Sequence, residues 1–222
     1  MSWKYRAKQG RNGEAWPIPS AGPHKATIVA LIGLGTHAEQ FKDEKTGKIK
    51  NVDYAKILLL WELHDEIVPG TKDRRFLLSK DYRIALGPRA ALRLLMEGLR
   101  GTAYKEGEEM DVGKLLGMPC LLSVKHGQSK SNPDRTYAFV DGVMAYPKKD
   151  PKPPPHTKPY IFDIAQGDRN FAILDDVPYL YGEPITEVMK RSREWHRAHA
   201  TDPRDDNPPA NDGDSDHTDM PF

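Results

Sequence analysis

Apolar and polar positions change period twice along the chain. His24–Leu34 (HKATIVALIGL) and Asp53–Leu63 (DYAKILLLWEL) are short, β-branched or leucine-rich apolar runs, the pattern of strands. A third strand is predicted over Arg74–Ser79, with Lys80–Leu86 continuing it or turning away. Thr46-Gly47 is a turn signal in the lysine-bearing stretch between the first two strands. HDEIVPGTKD plays the same part between the second and third. After Gly87-Pro88 the period becomes helical. Ala91, Leu92, Leu95, Met96 and Leu99 make one apolar stripe, and arginines 89, 93 and 100 lie outside it as a solvated face. A helical turn is predicted over Asp111–Leu116. Two more strands follow at Pro119–His126 and Arg135–Met144, joined by the polar loop GQSKSNPD.

The order strand–strand–strand–helix–strand–strand predicts a mainly β fold over residues 24–146. It is the element order of a five-stranded OB-fold barrel with its helix between strands three and four. Residues 1–23 read as an irregular N-terminal arm and 147–159 as a stiff proline-rich linker. Residues 160–200 read as a C-terminal extension, with one helix from Glu183-Pro184 to His199 whose face holds Ile185, Val188, Met189, Ser192 and Trp195. From 201 to 222 nothing large and apolar precedes Met220, so this segment is expected to be a disordered tail.

Composition adds little until charge is mapped along the chain. The net charge is +1, but residues 201–222 hold seven of the 32 acidic residues and only Arg204 among the 33 basic ones. That leaves a tail near −6 and a body near +7, as expected of a polyanion-binding domain with an acidic appendage, or equally of an acidic tail that only aids solubility. The single cysteine, Cys120, excludes a disulfide within the chain and a multi-cysteine zinc site. No stretch approaches the roughly 20 apolar residues of a membrane span, and MSWKYRAKQGRNG has no apolar core of a secretory signal; a cytoplasmic protein without membrane contact is expected.

No phosphate-binding loop, nucleophile elbow or zincin motif is present, and the reading is non-enzymatic, with no cofactor and no metal. Cys120 inside an apolar strand reads as a buried, inert thiol. Asp53, Asp73, Asp81 and Asp141 fall near strand ends and leave a metal-dependent nuclease as an alternative. Single-stranded nucleic acid, by contrast, needs cations for phosphates and flat rings for bases. The strands interleave both. Lys56, Arg74, Arg75, Lys80, Lys125 and Arg135 are the predicted groove cations, and Tyr54, Phe76, Tyr137 and Phe139 the candidate stacking rings. Trp61, in register with Ile57, Leu59 and Leu63, reads as core. Phe76, Tyr137 and Phe139 read equally well as core or surface, and Tyr54 beside Lys56 as surface.

The chain ends Asp219-Met220-Pro221-Phe222 after an aspartate-rich run. Phe222 suits an apolar pocket on a partner, Pro221 limits the free conformations, and the aspartates steer toward basic surfaces. This ending is similar to the acidic C-terminal tip of bacterial single-stranded DNA-binding proteins. The body, with LLWEL, FLLS, ALRLLMEGLRG and LLGMPCLLSV, resembles phage-encoded single-stranded DNA-binding proteins over about residues 20–146. The resemblance implies a protein that coats single-stranded DNA without strong sequence preference during phage replication or recombination. It also implies recruitment of a polymerase, helicase, primase or recombinase through Asp219, Met220, Pro221 and Phe222. From charge, the free tail is expected to compete with DNA, so that deleting residues 202–222 tightens binding at low salt. A double-stranded DNA or RNA adaptor is the alternative reading.

Overall fold

The computed structural model describes residues 17–42, 47–128, 136–174, 177, 180 and 183–199. Arg135 and the tip Asp219–Phe222 lie outside the described residues, as do most of the arm and all of the tail.

The chain is mainly β. β1 (Gly22–Lys42), β2 (Ile49–Ile67), β3 (Arg75–Arg83), β4 (Pro119–Gln128), β5 (Thr136–Ala145) and β6 (Tyr160–Asp163) form one six-stranded sheet. Its path is β3-β2-β1-β4-β5, antiparallel throughout, with β6 added in parallel to β1. α1 (Ala91–Arg100) lies between β3 and β4, as the sequence predicts. Two expectations are corrected. A sixth strand joins the sheet, and the barrel is not closed, since no ladder joins β3 to β5 among the described residues. These two strands are bridged instead by a side chain, Lys80 Nζ donating to the Val140 carbonyl at 3.1 Å.

The first two strands run well past their apolar runs. Residues 36–42 and 49–55, mostly polar and with no unbroken apolar run, continue the β1–β2 ladder from Thr36↔Ala55 to Lys42↔Ile49. Ladder bonds are made by the backbone, so a polar ribbon is as good a ladder as an apolar one, and hydrophobic patterning does not reveal it. β1 carries two irregularities, between Ile28 and Ala30 and between Gly33 and Gly35. They bend it, so that its first half pairs with β4 and residues 30–33 pair with β6. At the second irregularity Gly35 has φ +82°, and Ser192 and Glu194 crowd the position a side chain would take. Glycine is required there on both counts.

The sheet is buried on two faces. Ile57, Leu59, Trp61 and Leu63 of β2 pack inward with Phe76, Leu78, Tyr82, Cys120, Leu122 and Val124, and α1 covers them with Leu92, Leu95, Met96 and Leu99. Leu58 and Leu60 face the other way, with Val29, Ile32 and Leu34 of β1. This outer face is covered by Phe162 and Ile164, by Leu174 and by α2 (Ile185–Lys190) through Ile185, Val188 and Met189. The unbroken burial of residues 57–63 follows from cover on both sides.

The predicted single C-terminal helix is two. α2 ends at Lys190 and α3 spans Arg193–His199. The break is at Ser192, fully buried, whose Oγ accepts from the Trp195 backbone N–H at 3.2 Å. A serine that caps a new helix competes with continuation of the old one. Trp195 then stacks in a chain of rings, 5.3 Å from Phe171, which is 5.4 Å from Phe162.

The proline-rich segment is laid against the sheet. Glu62, 1% exposed on β2, accepts from the backbone N–H groups of His156 and Thr157, each at 2.7 Å. Burial works against ionisation of this carboxyl, but the bonds from Thr157 and His156 outweigh it and hold the group below its ordinary range. Tyr146 Oη donates to the Pro151 carbonyl at 3.0 Å, and Lys25 pairs with Asp150 at 3.1 Å. Arg93 of α1 is also not a solvated cation. It is half-buried, paired with Glu97 at 2.8 Å, and donates to the Leu86 and Tyr104 carbonyls.

Candidate nucleic-acid interface

Among the described residues, those predicted for the groove do not line one groove. Three of them, Lys125, Tyr137 and Phe139, meet on the outward face of the β4–β5 hairpin. β4 buries Cys120, Leu122 and Val124, so Leu121, Ser123, Lys125 and Gly127 face outward. In register, Lys125 pairs with Phe139 and Gly127 with Tyr137. The two rings are neighbours along β5, with centroids 5.9 Å apart and planes tilted by 46°. Tyr137 is 46% exposed and Phe139 partly so. Lys125 Nζ reaches Asp141 at 3.0 Å, an exposed pair of the kind that contributes little and can exchange its carboxylate for a phosphate.

Asp141 marks an irregularity in the β4–β5 ladder, where the register shifts between Ser123 and Val124. Beyond it the alternation flips. Val143 turns inward and Met144, paired with Leu121, comes out 52% exposed on the face of Tyr137 and Phe139. Strict alternation from sequence places Met144 on the opposite face with Ala138 and Val140. The extra residue overturns that placement.

The other predicted residues lie elsewhere. Tyr54 is half-buried near the distal end of β2, opposite His37, with the Arg83 guanidinium 4.4 Å from its ring centroid. Lys56 Nζ is held by Glu39 at 2.6 Å, and Arg83 also pairs with Glu39. Lys56, and after it Arg83, keeps the Glu39 carboxyl below its ordinary range. α3 docks at this end. Glu194 accepts from the Thr36 backbone N–H at 2.7 Å and from its hydroxyl at 2.8 Å, and Arg193 pairs with Asp53. Burial, together with the nearby cations Lys56 and Arg191, lowers the proton affinity of His37 there, against the Leu34 carbonyl and Glu194.

Lys80 points into the β3–β5 seam rather than into solvent. Phe76 is 8% exposed and belongs to the inner core, so the expectation of a stacking ring at Phe76 is corrected: it alternates in phase with Leu78 and Tyr82, which also point inward. Arg74 and Arg75 border a cavity of about 330 Å³ with Glu62, Asp73, Leu77, His156 and Thr157. Arg75 is spent on structure. Its Nη1 donates to the His64 carbonyl at 2.7 Å and lies 2.9 Å from His64 Nδ1, and its Nη2 lies 3.2 Å from His156 Nε2. Two residues with a part in the arrangement escape sequence reasoning as site residues. Arg83 is signalled only by its place after Tyr82. Gly127, assigned to the loop from sequence, is in fact a strand residue opposite an aromatic.

Of the four aspartates weighed for metal chemistry, Asp53 is paired with Arg193 and Asp141 with Lys125. Among the described residues no three His, Cys, Asp or Glu side chains gather in a metal-binding group. Cys120 is buried, and burial pushes its thiol up to about 12. No helix among the described residues is long and apolar enough to cross a membrane. No family model matches this chain, and no curated protein is significantly similar to it.

Proposed function

We propose that the chain binds single-stranded DNA on the outward face of the β4–β5 hairpin, with Tyr137 and Phe139 as the base-stacking rings and Lys125 as a phosphate contact. The observation that carries this reading is an adjacent pair of accessible rings beside an exposed lysine on a sheet face. Stacking tolerates any base and cations track any backbone, so such a face holds unpaired strand without reading sequence. Duplex DNA buries its ring faces in its own stack and offers nothing for Tyr137 and Phe139 to lie on.

The strand path, with α1 between β3 and β4, supports an OB-fold variant whose β3–β5 edge is bridged by Lys80. The resemblance of the body and of the Asp219–Phe222 ending to phage and bacterial single-stranded DNA-binding proteins supports a role in phage DNA replication or recombination in the host cytoplasm. In that role the tip recruits a polymerase, helicase, primase or recombinase. The protein is proposed to act by binding, without catalysis.

The test is fluorescence anisotropy of labelled oligo-thymidine, duplex DNA and single-stranded RNA at two salt concentrations. Trp61 is fully buried and Trp195 packs against the outer core, so a label on the nucleic acid is the probe. The thymidine strand binds tighter than duplex, and binding weakens steeply with salt. Tighter duplex binding, or no binding of the thymidine strand at low salt, overturns the reading. Cleavage of the labelled DNA on addition of Mg²⁺ would replace it with a nuclease.

A further inference from the structure

Gly127 sits inside β4, paired with Tyr137, and its backbone is extended, so its conformation is open to any residue. What glycine supplies there is space. A Cβ at this position would lie 3.0 Å from both Cζ and Oη of Tyr137 and 3.4 Å from Cε1 of Phe139. The far end of the Tyr137 ring therefore lies across the ladder, over the Gly127 backbone, in place of a side chain. Phe139 leans toward the same notch from the diagonal position. A ring lying along a sheet leaves one face to solvent, and Tyr137 is 46% exposed.

We propose that Gly127 is a positioning residue for nucleobase stacking: its missing side chain lets the Tyr137 ring settle across the hairpin beside Phe139 and present a face to unpaired bases. This rests on the single-strand-binding reading above and deepens it. The ligand is set by the geometry of the platform, a planar ring free on one side, as in an unpaired nucleotide. A branched side chain at 127 displaces the Tyr137 ring from this place, while Phe139 stands at ordinary contact distance. It leaves Lys125 in place, because Lys125 is two residues away and pairs with Asp141 on its own account.

The experiment is a double-mutant cycle in the full chain, read by anisotropy of labelled oligo-thymidine, with Gly127→Val, Tyr137→Ala and the two combined. Valine suits a strand backbone, so its effect is one of volume. Gly127→Val is expected to weaken binding about tenfold while leaving the salt slope unchanged, because a stacking contact and no phosphate contact is lost. In the Tyr137→Ala background the same substitution is expected to cost less than about twofold, since the ring it displaces is gone. The double variant, relieved of the clash, also serves if Gly127→Val alone folds poorly: it should fold and bind as Tyr137→Ala does. Equal losses in both backgrounds, a changed salt slope, or full affinity of Gly127→Val overturns the proposal for Gly127. If Tyr137→Ala itself binds as tightly as the parent, the stacking reading has failed, and the role of Gly127 falls with it.

Discussion

The β1–β2 ribbon and the β4–β5 hairpin are both antiparallel pairs in the same sheet, yet one is covered on two faces and the other on one. Over residues 57–63 β2 is buried without a break, inward against α1 and outward against β6, α2 and their connections. β4 and β5 share the inner core but leave Lys125, Tyr137 and Met144 exposed on their outward side. The segment 160–199 makes the difference. It covers β1 and β2 and stops short of the hairpin, so the apolar side chains that face outward from the ribbon are core and those of the hairpin are free for a ligand.

The largest expected effect breaks the covered side. Phe162→Ala removes a ring buried between the outer sheet face and Phe171, and should lower unfolding free energy by about 3–5 kcal/mol in urea titration. Tyr137→Ala is the matching change on the open side. It should leave stability within about 0.5 kcal/mol and weaken oligo-thymidine binding by about 1–3 kcal/mol.

Glu62→Gln tests the seam between ribbon and proline-rich segment. The loss of two charge-assisted bonds should cost about 1.5–3 kcal/mol at neutral pH. Because the folded carboxyl titrates below its ordinary value, this contribution is present above pH 4.5 and is lost as pH falls through the folded value. Parent and variant should therefore converge in acid. His24 behaves in the opposite sense. Burial disfavours its charge, but bonds to the Ser20 carbonyl at 2.9 Å and to Asp65 at 3.0 Å prevail and raise its proton affinity. Its contribution is complete below pH 6.5 and is lost as pH rises through the folded value, so His24→Gln should destabilise more at acidic than at alkaline pH in thermal melts. The smallest effect is Lys125→Ala, which should reduce the salt slope of single-strand binding by about 0.7.

Much of this contrast is legible in the sequence, and the remainder fails for physical reasons. The run ILLLWEL announces a strand, and Leu92, Leu95, Met96 and Leu99 announce the helix that covers its inner face; that the strand is covered on both sides appears only in the structure. The identity of the second cover is not encoded locally, since Phe162 and Val188 meet Leu60 only through the tertiary fold. The rings illustrate the limit of alternation. Phe76 and Tyr137 each sit in a predicted strand one or two residues after an arginine, and only the neighbours across the sheet decide that one is core and the other surface. Met144 is misplaced because a single irregular residue, Asp141, inverts every side chain after it. Lys56 and Arg75 read as free cations until Glu39, His64 and His156 are brought to them from distant parts of the chain.

Glu62 restrains residues 147–159 with two hydrogen bonds, and the composition of that stretch explains why so few suffice. Six of its thirteen residues are proline, which carry no N–H to satisfy and little torsional freedom to surrender. His156 and Thr157 are the first two donors after three consecutive prolines, and both are held by one carboxylate. A stiff rod held by Tyr146 and Lys25 near its start and by Glu62 near its finish keeps its direction, and this one delivers β6 to the edge of β1. Replacing the prolines by flexible residues would leave every bond to Glu62 available while multiplying the routes by which the segment that begins at Tyr160 misses its seat.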